Sequence, residues 1–185
     1  KAVNQGFSEI TLLGQNVNSY DFEGIKFPEL LSSVAEIPGV QRIRYTSPHP
    51  QDINEELLEV MQKYNNICNY IHLPLQAGSN RILKRMNRTY TKEHFIELAL
   101  KIREYLPGAG ISTDIIVGFP GETDDDFEDT ISVMNRINFD SAYTFKYSPR
   151  KGTKATEYDD QIEESIKQDR LSRIIALQKS HTLLR

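Results

Sequence analysis

The chain has 185 residues, 38% of them hydrophobic and 26% charged, with a net charge of -4. That length holds one substantial core and is too short for two comfortable ones. No apolar run approaches membrane-spanning length, no signal peptide is visible, and the acidic balance argues weakly against a dedicated nucleic-acid module. A single cysteine, Cys68, excludes an internal disulfide and any Cys-cluster metal site within the chain.

The chain opens at Lys1, without Met, on KAVNQGF, which reads as the tail of a helix and so as a piece of something longer. Residues 9–14 (EITLLG) predict a strand entering a polar loop, QNVNSYDFEG. Leu30, Leu31, Val34 and Ile37 recur at helical spacing, and Pro38-Gly39 is the expected stop. Residues 42–47 (RIRYTS) alternate like a strand. Leu57, Leu58 and Met61 predict a helix after Asn54, and residues 70–75 (YIHLPL) a further strand ending at Gln76-Ala77-Gly78-Ser79. Ile82, Leu83 and Met86 mark one face of a short basic helix. Thr91 is the expected cap of the next, whose stripe is Phe95, Leu98, Ala99, Ile102 and Leu106.

Residues 111–122 (ISTDIIVGFPGE) are the organising stretch. Apolar residues on both sides of a short strand predict burial of both faces. An embedded carboxylate, Asp114, is costly there unless a partner meets it. The two glycines and proline of GFPGE end the strand, and Thr123 with Asp126 matches a capping box for a helix carrying Phe127, Ile131 and Met134. Residues 141–147 (SAYTFKY) are the last strand. A terminal helix is expected from about Gln161, with Leu171, Ile174 and Ile175 inward.

Alternating strands and helices predict parallel strands with right-handed crossovers. All five strands place polar residues at their C-terminal ends: Gln15 and Asn16, Ser47 and His49, Gln76 and Ser79, Gly118 and Glu122, Ser148 and Arg150. A common mouth suits an α/β fold of the incomplete (β/α) TIM-like barrel type, helices outside.

Asp114 and Gln76 each have two readings, a buried group completing the local backbone network or a ligand contact. Arg81, Lys84, Arg85 and Arg88 form a basic face that is either solvated or turned to an anion in the mouth. Arg150, Lys151 and Lys154 follow another strand end, while carboxylates gather on outer helices, so a basic mouth sits on an acidic body. His49 and His72 are too scattered for a zinc site. Cys68 as a lone thiol reads as a bystander, and Ser112 and Ser148 lack a histidine partner in pattern. The residues predict a ligand-binding mouth with no evident catalyst. A Walker-type phosphate loop is absent.

Taken together, LLGQNVNSY, HLPLQAGSNRILKRMNR, TDIIVGFPGE and YTFKYSPRKGT resemble the radical-SAM methylthiotransferases, specifically the MiaB type that adds a methylthio group to isopentenyladenosine of tRNA beside the anticodon. The resemblance spans essentially the whole chain. It implies a partial barrel with S-adenosylmethionine across the strand ends. There a 4Fe–4S cluster generates a 5′-deoxyadenosyl radical that abstracts hydrogen from C2 of the adenine, an auxiliary cluster supplies sulfur, and a second S-adenosylmethionine supplies the methyl. It further implies that Gly14, Gln15 and Asn16 meet the methionine amino group, with Ser47 near it. Gln76, Ser79 and Asp114 become polar contacts, and Arg88 the partner of the methionine carboxylate. Gly118 through Glu122 would wall the adenine, and Tyr147 through Pro149 would close against it. Arg81, Lys84, Arg85, Lys151 and Lys154 are the candidate RNA contacts.

No CxxxCxxC occurs. The expectation is therefore a core fragment, inactive alone, lacking the first strand, the cluster loop, the N-terminal auxiliary-cluster domain and the C-terminal TRAM-type domain. Two 4Fe–4S clusters would belong to the full-length protein and none to this chain. The resemblance also implies a cytoplasmic enzyme with tRNA and a flavodoxin or ferredoxin as partners. Rival expectations are methylthiotransferases for a ribosomal-protein aspartate or for threonylcarbamoyl-adenosine in tRNA, and a non-catalytic nucleotide- or RNA-binding barrel module.

Overall fold

The computed structural model describes residues 1–46 and 48–183, which divide into two compact units. The first comprises Lys1–Leu73 with Leu100–Gly110, and the second Pro74–Ala99 with the chain from Ile111 onward.

In the first unit, strand β1 (Glu9–Leu12) leads into the polar loop. That loop holds more order than its composition suggests. A 3-10 turn at Val17–Ser19 precedes a small hairpin of β2 (Asp21–Phe22) and β3 (Ile25–Lys26), closed by Glu23 and Gly24, both at positive φ. Two left-handed residues match the twist a two-residue hairpin needs. Helix α1 (Phe27–Ala35) starts with Pro28 in its first turn and Glu29 accepting from the Lys26 amide at 2.8 Å. It ends at Ala35, so Ile37 is not on its apolar face but exposed. Strand β4 (Arg42–Tyr45) lies parallel to β1, with Ile10 opposite Ile43. Helix α2 (Glu55–Lys63) follows Asn54 as expected and is capped by it, the Asn54 side chain accepting from the Leu57 amide at 2.9 Å. Phe27, Leu31, Ile43, Leu57 and Leu58 form the centre of this core, and β5 (Tyr70–His72) follows.

In the second unit, α3 (Asn80–Arg85) is short, and α4 (Lys92–Tyr105) is capped by Thr91, whose hydroxyl accepts from the His94 amide at 3.3 Å. The α4 stripe is buried as its spacing predicts, Phe95, Leu98 and Ala99 in this unit and Ile102 in the first. Strand β6 (Gly110–Val117) buries Ile111, Ser112, Thr113, Ile115 and Val117, while Asp114 and Ile116 stay half-buried. The capping box of α5 (Asp124–Ile137) forms between Thr123 and Asp126. Strand β7 (Ser141–Lys146) runs parallel to β6, placing Tyr143 beside Asp114 and Phe145 beside Ile116 on one face. The parallel strands do not close a barrel among the described residues.

Helix α6 departs most from its expected pattern. It spans Glu164–Leu183, and its buried positions are Lys167, Arg170, Ile174, Gln178 and His181, with Ile175 exposed. The inward face is set by long polar side chains whose stems pack while their heads find partners. The Gln178 amide donates to the Phe139 carbonyl at 2.9 Å, and His181 Nε2 lies 3.2 Å from Asn135 Oδ1. Burial pushes the His181 imidazolium to a lower pKa.

Candidate functional site

The C-terminal half of β6 is flanked on both edges. On one, Gln76 makes a single parallel bridge, its amide donating to the Asp114 carbonyl and its carbonyl accepting from the Ile116 amide, both at 2.8 Å. On the other lies β7. Gln76 has φ 69, and the Ala77 amide closes a three-residue turn on the Leu75 carbonyl at 3.0 Å. This is the strained form of the γ-turn, which persists only where its surroundings over-determine it.

Those surroundings are specific. The Gly78 amide donates to the Thr130 hydroxyl at 2.9 Å, and a Cβ on Gly78 would lie 2.4 Å from the Thr130 Cα of α5. Ser79 donates to Asp126 at 2.5 Å. The Tyr90 hydroxyl holds the Pro74 and Leu75 carbonyls, each at 3.0 Å, and burial pushes its pKa up to about 12. Beyond the turn, α3 ends in a Schellman motif. Asn87 takes φ 57, and the Arg88 amide reaches the Leu83 carbonyl at 2.9 Å and the Asn87 amide the Lys84 carbonyl at 3.1 Å. Arg88 thereby leaves the helix at a fixed point.

These elements enclose a cavity of about 900 Å³ lined by Gln76, Lys84 to Arg88, Asp114, Ile116, Phe119, Phe145 to Ser148, Arg150, Thr153 to Ala155 and Tyr158. Phe119 packs edge-on against Tyr147 and Tyr158, with centroids 5.1 and 6.4 Å apart. The Tyr147 hydroxyl is buried and lacks a hydrogen-bond partner among the described residues. Six cationic side chains line the cavity against one carboxylate, Asp114. The site therefore offers an apolar and aromatic wall, a carboxylate, an amide, an unsatisfied phenol and a cationic rim. That donor set suits a nucleoside bearing a charged tail.

Of the residues singled out in the sequence, the cavity brings together Gln76, Arg88, Asp114 and Tyr147, along with Lys84, Arg85 and Lys154. It does not include Gly118, Glu122, Ser79, Pro149, Arg81 or Lys151. The side chain of Glu122 does not line this cavity. Its carboxylate faces the back of the turn, accepting from the Gly118 amide and from Arg170, each at 2.7 Å. Burial pushes its pKa up, against the pull of those two donors. Ser79 is committed to Asp126, and Arg81 donates to Asp126 and, at 2.5 Å, to the Gly121 carbonyl. Burial alone would raise the Asp126 carboxyl, yet bonds from Arg81, Ser79 and Thr123 hold it well below the usual carboxylate range. Gly14, Gln15 and Asn16 belong to the first unit, Asn16 at φ 51, and Ser47 lies outside the described residues.

Sequence reasoning placed Phe119 in the wall only as part of the stretch 118–122, and it missed Tyr158 and Asp160 as well as Lys167 and Arg170 behind the turn. Lys167 and Arg170 repeat at helical spacing with Ile174, Gln178 and His181, a signal hidden because apolar residues were sought. Lys167 packs its stem where a Cβ on Gly118 (φ 71) would sit, and its ammonium lies 3.5 Å from the Tyr147 carbonyl. Among the described residues no group of three or more His, Cys, Asp or Glu is placed to hold a metal ion.

The chain matches the Radical SAM superfamily over residues 1–134. It is 51% identical over 177 residues to a tRNA-2-methylthio-N(6)-dimethylallyladenosine synthase of Acetivibrio thermocellus, covering 94% of this chain and 37% of that protein. A protein of the same name from Moorella thermoacetica is 50% identical over 184 residues, covering 98% and 41%. The chain thus spans about two-fifths of the length of the curated relatives it matches. Its fold is similar to coproporphyrinogen III oxidase (HemN) of Escherichia coli, with TM-score 0.62 at 21% identity over 77% of this chain and 33% of that one. It is also similar to the radical S-adenosylmethionine methyltransferase TsrM of Kitasatospora setae, with TM-score 0.60 at 13% identity over 78% and 28%. With the family match over most of its length and a fold shared with two radical SAM proteins, this chain belongs to the Radical SAM superfamily.

Proposed function

We propose that this chain is the S-adenosylmethionine-binding core of a tRNA methylthiotransferase that modifies C2 of N6-isopentenyladenosine next to the anticodon. The observation that carries the reading is the identity of about one residue in two, sustained over nearly the whole chain, to synthases of that name. The cavity supports it chemically. Arg88 offers a planar fork to the methionine carboxylate, and Gln76 and Asp114 offer an acceptor and donor set for ribose hydroxyls. Ile116, Phe119 and Phe145 provide apolar surface for an adenine ring, and the Tyr147 phenol has hydrogen-bonding capacity to give.

When bound beside a reduced 4Fe–4S cluster, S-adenosylmethionine supplies the hydrogen-abstracting radical chemistry. What this chain's residues contribute is orientation. Gln76 is held by its γ-turn, Asp114 by β6 and Arg88 by the Schellman end of α3, so three polar groups are presented from separate backbone anchors. Cluster cysteines, an auxiliary-cluster domain and an RNA-binding domain belong, on this reading, to parts of a longer cytoplasmic protein that takes electrons from a flavodoxin or ferredoxin. The test is mass spectrometry of tRNA nucleosides from cells lacking the full-length gene. Isopentenyladenosine should accumulate, and the intact gene should restore the methylthio form while its Asp114→Ala and Arg88→Ala variants do not. An unchanged isopentenyladenosine pool would overturn the substrate.

A further inference from the structure

Past β7, residues 148–160 form a strap that carries Ser148, Arg150, Thr153, Lys154 and Tyr158 onto the cavity. It is latched at its far end. Arg85 donates to both Asp160 oxygens at 2.7 and 3.0 Å, its guanidinium stacks 4.5 Å from the Tyr158 ring centre, and the Gly121 amide holds the Asp160 carbonyl at 2.8 Å. Gly121 sits at φ 79, which a side chain rarely adopts, and a Cβ there would also lie 2.4 Å from the Asp160 carboxylate. Within the strap, the Thr153 amide and hydroxyl both return to the Arg150 carbonyl at 3.1 and 2.8 Å, fixing the spacing of Arg150 and Lys154.

The cations of this unit include a paired set and, at the cavity, an unpaired one, while Arg136, Lys151 and Lys179 lie outside both. Arg81, Arg85, Lys92, Lys146, Arg170 and Arg173 each pair with a carboxylate. At the cavity, Lys84, Arg88, Arg150 and Lys154 pair with none among the described residues, although Glu157, Asp159 and Glu163 stand in the chain nearby. In a chain of net charge -4, carboxylates are not scarce. S-adenosylmethionine carries a sulfonium, an ammonium and one carboxylate, so it has use for one of these cations and is repelled by the rest. A strand of RNA carries one phosphate per nucleotide.

We propose that the cavity rim is a clamp for the phosphates of an RNA strand, with Lys84 on α3 as one jaw and Arg150 and Lys154 on the latched strap as the other. The proposal rests on the tRNA reading above. It makes Arg85 a positioning residue for the strap rather than an RNA contact. Such a clamp fixes register without reading sequence, holding the strand while one base enters the cavity.

The test uses the full-length protein and an isopentenylated anticodon stem-loop, with affinity measured from low to high KCl. Removing three phosphate contacts in the Lys84→Ala, Arg150→Ala, Lys154→Ala variant should lower affinity at least tenfold at low salt. It should also reduce the slope of log affinity against log salt by about 2, at roughly 0.7 per contact in single strands. Binding of S-adenosylmethionine should not weaken. An unchanged salt slope, or a loss of S-adenosylmethionine binding instead, would overturn the clamp. If wild-type protein bound this stem-loop no better than an unrelated RNA, the tRNA reading would fall and the clamp with it. Wild-type preference for the stem-loop with an unchanged slope in the triple variant would sink the clamp alone.

Discussion

Behind the turn at residues 118–122, every buried carboxylate has a cation: Glu122 has Arg170, and Asp126 has Arg81. In front of it, at the cavity, the proportions reverse, and Lys84, Arg88, Arg150 and Lys154 line the wall without carboxylate partners among the described residues. The two regions share a short stretch of β6 and the turn that follows. One side uses charge to hold backbone in place, and the other leaves charge available. The difference predicts that substitutions behind the turn act on folding, while those in front act on binding.

The largest effect is expected at Arg170, whose side chain is 5% exposed and bonds the Glu122 carboxylate and carbonyl and the Asp124 carboxylate. Arg170→Met leaves a buried carboxylate without its partner, which costs about 3–5 kcal/mol. Urea titration should show that loss, and adding Glu122→Gln should recover part of it. A loss below about 1 kcal/mol would mean that the pair does not hold the turn.

Gly78→Ala comes next. Its Cβ would meet the main chain of α5, which cannot rotate away as a flexible side chain can. Overpacking of this kind costs about 1–3 kcal/mol, and ligand affinity should fall as well because Gln76 sits two residues away. A variant of wild-type stability would show that the contact relaxes freely.

Asp126 gives the pH dependence. Its folded carboxyl titrates below its ordinary value, so its contribution to stability is fully present above the unfolded value of about 4 and is lost as pH falls through the folded one. Asp126→Asn should therefore lose on the order of 2 kcal/mol at neutral pH, and the difference from wild type should shrink as pH drops below about 4. A difference that stayed constant with pH would point to packing rather than charge.

How much of this was legible depends on which force shaped each element. The strands and α2, α4 and α5 follow apolar periodicity and capping chemistry, both local in sequence, and Asn54, Thr91 and Thr123 cap where their side chains predict. The partition of Arg81 from Lys84, three residues apart on one short helix, was not legible. It depends on Asp126, 45 residues away, reaching the first and not the second. For the same reason the inward pairing of the Glu122 carboxylate was not legible. Only the return of α6, with an arginine where an apolar residue was expected, turns it inward. The strap's latch is equally nonlocal, since Arg85 and Asp160 are 75 residues apart. Residue type told which chemistry was available, and tertiary pairing decided where it was left over.

Arg88 and Arg81 offer the smallest change in stability and the sharpest form of the comparison. Both are exposed arginines, Arg81 in the first turn of the short helix and Arg88 just past its end. Arg81 is tied to Asp126 and the Gly121 carbonyl, so Arg81→Ala should cost about 1–3 kcal/mol by leaving a buried carboxylate short of a donor. Among the described residues Arg88 is hydrogen-bonded through its backbone, by the amide bonded to the Leu83 carbonyl, a bond that alanine keeps. Arg88→Ala should therefore change stability by no more than about 0.5 kcal/mol. Calorimetric titration with S-adenosylmethionine should nonetheless find its affinity lowered at least tenfold, while Arg81→Ala binds within a fewfold of wild type once folded. If Arg88→Ala bound S-adenosylmethionine normally, the unpaired cations in front of the turn would all be available to RNA, and the clamp would have four contacts rather than three.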